Sequence, residues 1–146
     1  MQLVVLGLNH RSAAVEVRER FSFEKNEVES ALNRLYEYEK ISECVILSTC
    51  NRTEIYAVLE DVQSPKAYML DVLKHLKHAD TIDESAFFFY EEKACIEHLF
   101  RVSASLDSLV LGEGQILSQL KGAYIAAYSA GFTGTVFNIL FQRAIG

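Results

Sequence analysis

Hydrophobic and polar positions fall into two regimes along this chain. Up to about residue 91, short apolar runs of strand length alternate with stretches at helical spacing; beyond it only helical spacing remains. Gln2 to Leu8, with its run L-V-V-L-G-L, reads as a buried strand, with Gly7 permitting close approach of backbone. The polar stretch Asn9-His10-Arg11-Ser12 then leaves that strand, either as a plain turn or as a loop at the edge where later chemistry gathers. Val15 to Arg20 reads as a short charged helix. Ser22 can cap the next one, with Glu24 in its first turn and Val28, Ala31, Leu32 and Leu35 at helical spacing as far as Glu39-Lys40.

Val45-Ile46-Leu47 and Ile55 to Leu59 are two further strands, joined by the polar stretch Ser48 to Thr53. Ser64-Pro65 starts a helix that buries Met69, Leu73 and Leu76 and ends near His78 to Asp80. Ala86 to Tyr90 is an aromatic strand. The order strand, helix, strand, strand, helix, strand predicts an α+β fold. Residues 1–91 form a ferredoxin-like βαββαβ part, an antiparallel sheet with its helices on one face.

Residues 92–146 read as an all-helical, bundle-like segment. Cys95, Leu99, Val102 and Leu106 recur at i, i+4, i+7 and i+11 within a helix expected over 92–109, with His98, Val102 and Ser105 on an adjoining face. Gly112-Glu113-Gly114 breaks it. A helix from Gln115 buries Ile116, Leu120, Ala123 and Ala127 and stops at Gly131. A last one starts at Thr133 or Thr135, and Phe137, Leu140, Phe141 and Ala144 are still in period at Gly146, which reads as the approach to a further domain.

Composition narrows the classes. A chain of 146 residues, half of them hydrophobic, can bury a real core, and a single Pro with no low-complexity tract argues against disorder. The apolar runs are too short to span a bilayer and no charged-then-apolar leader precedes the first strand, so a cytoplasmic protein without membrane contact is expected. Cys44, Cys50 and Cys95 are odd in number and lack CxxC spacing, which suits reduced thiols rather than a disulfide framework or zinc site. The net charge of -6 means that any nucleic-acid contact must be local or must use chain outside these residues.

Cys50 carries the first chemical candidate. It sits in a polar turn at the end of a buried strand, and Arg52 supplies a cation that favours a thiolate, the form that attacks carbonyl carbon. Taken alone, an ordinary half-buried thiol is the stronger reading. His98 is a partner within conceivable reach, as proton carrier or as a group that orients the thiol; a satisfied core histidine is the alternative. Other constellations are weaker. Gly112-x-Gly114 follows a helix and lacks the third glycine of a dinucleotide fingerprint. Ser105 or Ser108, His98 and Asp107 make a triad only on paper. His75, His78 and Asp71 form an H-x-x-H cluster that reads better as a solvated helix end than as a metal site, so no metal is expected.

Four segments together closely resemble the glutamyl-tRNA reductase family: Gly7-Leu8-Asn9-His10, Ser48-Thr49-Cys50-Asn51-Arg52-Thr53-Glu54, His98 to Ser108, and Gly112-Glu113-Gly114-Gln115-Ile116. They span nearly the whole chain in the family's order and cover its N-terminal catalytic domain. The resemblance implies attack of the Cys50 thiolate on glutamyl-tRNA(Glu), giving a thioester that NADPH reduces to glutamate-1-semialdehyde, the first step of tetrapyrrole and haem synthesis by the five-carbon route. Cys50 then matches the nucleophile and His98 the active-site histidine. Thr49, Asn51, Arg52, Ser108, Glu113, Gly114, Gln115 and Gln119 match the glutamate pocket, with Arg52 the natural partner of a carboxylate. The family also has an NADPH-binding domain and a dimerisation domain beyond this stretch, so the resemblance implies a homodimer in the longer protein and product transfer to glutamate-1-semialdehyde aminomutase. Two alternatives remain open: a non-catalytic ferredoxin-like module that binds RNA or a ligand, and a cysteine-dependent esterase or thioesterase.

Overall fold

The structure, a computed structural model, describes residues 1–104 and 115–146. A four-stranded sheet forms its frame: β1 (Gln2–Asn9), β2 (Ile41–Ser48), β3 (Arg52–Leu59) and β4 (Phe88–Glu91), in the order β2-β3-β1-β4. Every neighbouring pair is antiparallel. This is the ferredoxin-like order that the alternation of strand and helix predicts. Helices α1 (Val15–Phe21), α2 (Lys25–Arg34) and α3 (Pro65–Leu76) supply the connections. They close a core in which Leu6, Ile46, Ile55 and Ala57 meet Leu32, Leu35, Met69 and Leu73.

The sheet is covered on its other face too. Leu3, Val5, Tyr56 and Val58 pack with residues of α4 (Lys93–Ser103), α5 (Ile116–Ser129) and α6 (Thr135–Ile145), among them Leu99, Leu120, Phe137 and Phe141. The expectation of helices on one face thus describes α1–α3 alone. β1 and the Ile55–Leu59 part of β3 are continuous apolar runs rather than alternating ones, and such strands need cover on both sides. α5 also shields the edge strand β2, where Cys44 N–H donates to the Phe132 carbonyl at 2.9 Å. Glu43 of β2 is buried because its carboxylate caps α6, accepting from the N–H groups of Gly134 at 2.6 Å, Val136 at 3.2 Å and Phe137 at 2.8 Å.

Element ends differ in ways that side-chain bonding explains. Ser22 does not cap α2: its hydroxyl donates to the Glu19 carbonyl at 3.0 Å and closes α1. Glu24 takes the cap, in a reciprocal box with Glu27. α2 ends at Arg34 and tightens into a 3₁₀ turn over Leu35–Glu37. Glu84–Ala86 is likewise 3₁₀, held by the Asp83 carboxylate on Ser85 N–H, which delays β4 to Phe88. Glu92, at φ 52°, turns the chain sharply from β4 into α4, and its side chain accepts from Leu3 N–H at 3.0 Å. That turn carries α4 across the second face and aims Cys95, His98, Leu99 and Val102 at the sheet. The part of the expected helix beyond Ala104, Leu106 included, lies outside the described residues.

Candidate functional site

Thr49 to Asn51 link β2 to β3, and Thr49 pins that turn. Its N–H donates to the Arg52 carbonyl at 2.8 Å, while its Oγ1 accepts from the N–H groups of Asn51 and Arg52, both at 3.2 Å. Cys50 stands exposed at the tip. The other two thiols are buried: burial pushes Cys44 up to about 12, and pushes Cys95 further upward with help from the Glu54 and Glu92 charges. Ser48, at the base of the turn, accepts from Phe23 N–H at 2.8 Å.

The register pairs Asn9 with Arg52, so the end of β1 lies alongside this turn. Asn9 Oδ1 accepts from the N–H groups of Arg11 at 2.9 Å and Ser12 at 3.1 Å, which folds the next residues back tightly. Asn9 to Ser12 is therefore both a turn and a neighbour of Cys50; the two readings were never exclusive.

Below the turn lies a buried ionic network. Arg52, Glu54 and Tyr56 alternate along β3 and so share the face toward α4. Arg52 is 1% exposed and Glu54 0%. Glu54 Oε2 accepts from Arg52 Nη1 at 2.9 Å and lies 2.8 Å from His98 Nε2; Oε1 accepts from the Tyr56 hydroxyl at 2.6 Å. Burial alone would raise the Glu54 carboxyl. The His98 hydrogen bond and charge, the Arg52 charge and the Tyr56 hydroxyl outweigh it and hold the group below its ordinary value. Burial and the same carboxylate push the Tyr56 hydroxyl well upward. His98 is braced by Phe88 and Tyr90, whose ring centres lie 4.9 and 5.2 Å from its own.

Gly7 makes this packing possible. It faces Glu54 on one side and Phe88 on the other, and a Cβ there would stand 2.6 Å from Phe88 Cζ and 2.9 Å from the Thr53 carbonyl oxygen. Such a cluster costs desolvation that an apolar core would avoid, and strongly perturbed buried groups beside an exposed thiol mark a candidate site.

The structure thus brings Thr49, Cys50, Asn51 and Arg52 together in one turn and joins Arg52 to His98 through Glu54. Gln119 is exposed on α5 and lines, with Ser48 and Phe23, a cavity of about 360 Å³ beside β2. Gln115 is exposed at the start of α5 and makes no side-chain cap. Ser108, Glu113 and Gly114 lie outside the described residues, as do Ser105, Asp107 and Gly112. His75 Nε2 stands 3.7 Å from a Glu37 oxygen, and among the described residues no three His, Cys, Asp or Glu side chains gather as a metal would need. Glu54 and Tyr56 were missed by the sequence reading. Their signal was faint: a charged residue two places from an arginine, inside a strand with apolar neighbours.

Chemically, the arrangement offers an exposed thiol, a guanidinium with N–H donors beyond the one Glu54 takes, and an imidazole whose orientation a carboxylate fixes. Residues 6–146 match the family model described as Glutamyl-tRNAGlu reductase, N-terminal domain. Glutamyl-tRNA reductase of Bacillus pumilus is 42% identical over 146 residues, which cover 99% of this chain and 32% of that protein. That of Staphylococcus carnosus is 43% identical over 147 residues, covering 99% and 33%. The solved structure of glutamyl-tRNA reductase from Methanopyrus kandleri aligns at a TM-score of 0.76 and 34% identity, over 98% of this chain and 32% of that one. The chain spans about a third of the length of these relatives.

Proposed function

The chain belongs to the family of glutamyl-tRNA reductase N-terminal domains, and on that premise we propose that it transfers glutamate from glutamyl-tRNA onto Cys50 as a thioester. The observation that carries this reading is the Arg52–Glu54–His98 network directly beneath the exposed Cys50 turn. In the proposed step Sγ bonds to the ester carbonyl carbon, the bond from that carbon to the ribose oxygen breaks, and the thiol proton ends on the leaving hydroxyl. Arg52 supplies the guanidinium for the carboxylate of the glutamyl group, the planar fork that matches such a partner. Glu54 fixes the His98 ring at Nε2, which leaves Nδ1 as the atom that would pass the proton.

Reduction of the thioester by NADPH, to glutamate-1-semialdehyde for tetrapyrrole synthesis, completes the reading for a longer protein, together with its homodimer and product transfer to an aminomutase. The described residues do not fit a dinucleotide site: every strand pairing is antiparallel, so they contain no parallel strand–glycine loop–helix crevice. No hydride step is therefore derived from them. The RNA-module alternative is weakened by the second helical layer, since sheet-based RNA readers stack bases on an open sheet face. No helix among the described residues is long and apolar enough to cross a membrane.

Incubation with radiolabelled glutamyl-tRNA tests the reading. Acid-stable label should appear on the protein, be released by hydroxylamine, and be absent from Cys50→Ser. Equal labelling of that variant would remove Cys50 as the nucleophile.

A further inference from the structure

On the side of His98 lined by α4, a cavity of about 330 Å³ opens between the loop after β1 and the end of β4. Arg11, Tyr90, Ala94, Glu97, His98 and Arg101 line it. Its volume falls in the ~300–1,000 Å³ range of small-molecule sites. Ala94, Glu97, His98 and Arg101 follow helical spacing and form one stripe of α4, while Arg11 comes from the Asn9 turn, so two elements fixed by other bonds hold the two guanidinium groups. Two arginines against one glutamate make the cavity locally cationic in a chain of net charge -6. Tyr90 is 38% exposed although its ring stacks on Phe88 at 5.2 Å, so part of an aromatic surface is open to solvent.

We propose that this cavity is the subsite for the terminal nucleotide of the acyl donor, with Arg11 and Arg101 on its 5′-phosphate and Tyr90 against its base. The inference rests on the acyl-transfer reading above and extends it by direction. An ester has two ends. The acyl end is drawn to Arg52, and the ribose oxygen must leave close to His98, so the nucleotide lies on the side of His98 where the cavity is. A guanidinium carries five N–H donors, so an arginine that already holds a neighbour can still grip phosphate. Stacking of a base on an exposed aromatic ring is the usual complement to such a grip in single-stranded RNA recognition. A local grip of this kind also reconciles an acidic chain with a nucleic-acid substrate.

Two small donors, 3′-O-glutamyl-adenosine with and without a 5′-phosphate, separate the possibilities. The readout is the donor concentration that half-saturates acylation of Cys50, followed by protein mass. In the parent protein the phosphate should lower that concentration about tenfold. Arg101→Gln and, independently, Arg11→Gln should each bring the ratio between the donors toward one, Arg101→Lys should restore part of it, and each removed charge should cut the salt slope for glutamyl-tRNA by about one. A ratio of one in the parent, or a tenfold ratio that survives both glutamine variants, overturns the subsite. So does protection of Cys50 from the phosphorylated donor by NADPH at lower concentration than by adenosine 5′-monophosphate, which would give the cavity to a dinucleotide. If neither donor nor glutamyl-tRNA acylates Cys50, the acyl-transfer reading itself fails, which is a different result.

Discussion

The two faces of β3 are equally buried and built on opposite principles. Toward α1–α3 the strand presents Ile55, Ala57 and Leu59, which pack with Leu6, Ile46 and Leu32 and need no bonding partners. Toward α4–α6 it presents Arg52, Glu54 and Tyr56, whose ionised and hydroxyl groups bond to one another and to His98. An apolar face tolerates small changes in volume and has one job. A buried ionic face fails if any partner is lost, and fragile faces of this kind concentrate at functional sites. The contrast teaches that the site is rooted in the core, with Cys50 the part that reaches solvent.

The sharpest way to break that contrast is to neutralise its hub. Glu54→Gln keeps the shape but takes from the buried Arg52 the carboxylate it pairs with at 2.9 Å, and removal of one partner from a buried pair costs about 3–5 kcal/mol. Thermal or urea unfolding at neutral pH should show a loss of that size, and acylation of Cys50 by glutamyl-tRNA should fall with it. The pH dependence follows from the lowered carboxyl. Because the folded value lies below the ordinary value of 4.5, the unfolded chain binds the proton more readily. The Glu54 contribution is thus complete above about 4.5 and is lost as pH falls from there through the folded value. Glu54→Gln should flatten that acid limb; an acid limb identical to the parent's would mean Glu54 is not held ionised by this network.

Two smaller changes sharpen the comparison. Tyr56→Phe removes one hydroxyl bond to a charged acceptor, worth about 1.5–3 kcal/mol, while leaving both charges paired. Its stability loss should be clear and its effect on acylation modest, since Tyr56 touches neither Cys50 nor His98 in the bonds described. Gly7→Ala forces a methyl into contact with Phe88 and Thr53, an overpacking of about 1–3 kcal/mol. Because Phe88 braces His98, the variant should also slow acylation at saturating donor. An alanine variant as fast and as stable as the parent would show that the strand yields there freely.

The same contrast explains how far the sequence could be read. Strand runs such as Leu3–Leu8 and Ile55–Leu59 carry their period locally, so the order of the sheet was legible, and a rigid turn at Cys50 followed from the polar residues between two strands. Whatever depends on a distant partner was not. Nothing near Ser22 shows that its hydroxyl will close α1, leaving Glu24 to cap α2. Glu54 reads as a stray charge until His98, 44 residues away, arrives on α4. The unbroken apolar run Ile55–Leu59 did announce two buried faces, with nothing local to say which helices would cover the second.

The smallest expected effect is the control that the comparison requires. Ile55→Val removes one methylene on the apolar face, between Leu6 of β1 and Ile46 of β2. Loss of one such group costs about 0.5–1.5 kcal/mol, and β-branched valine keeps the strand preference. Ile55 is also next to Glu54 in the chain, so a backbone disturbance would reach the site at once. If the faces are independent, the stability loss should appear in unfolding curves while the Cys50 acylation rate and the acid limb stay those of the parent. A fall in acylation comparable with that of Tyr56→Phe would mean that the strand transmits packing from one face to the other, and the division drawn across β3 would have to be abandoned.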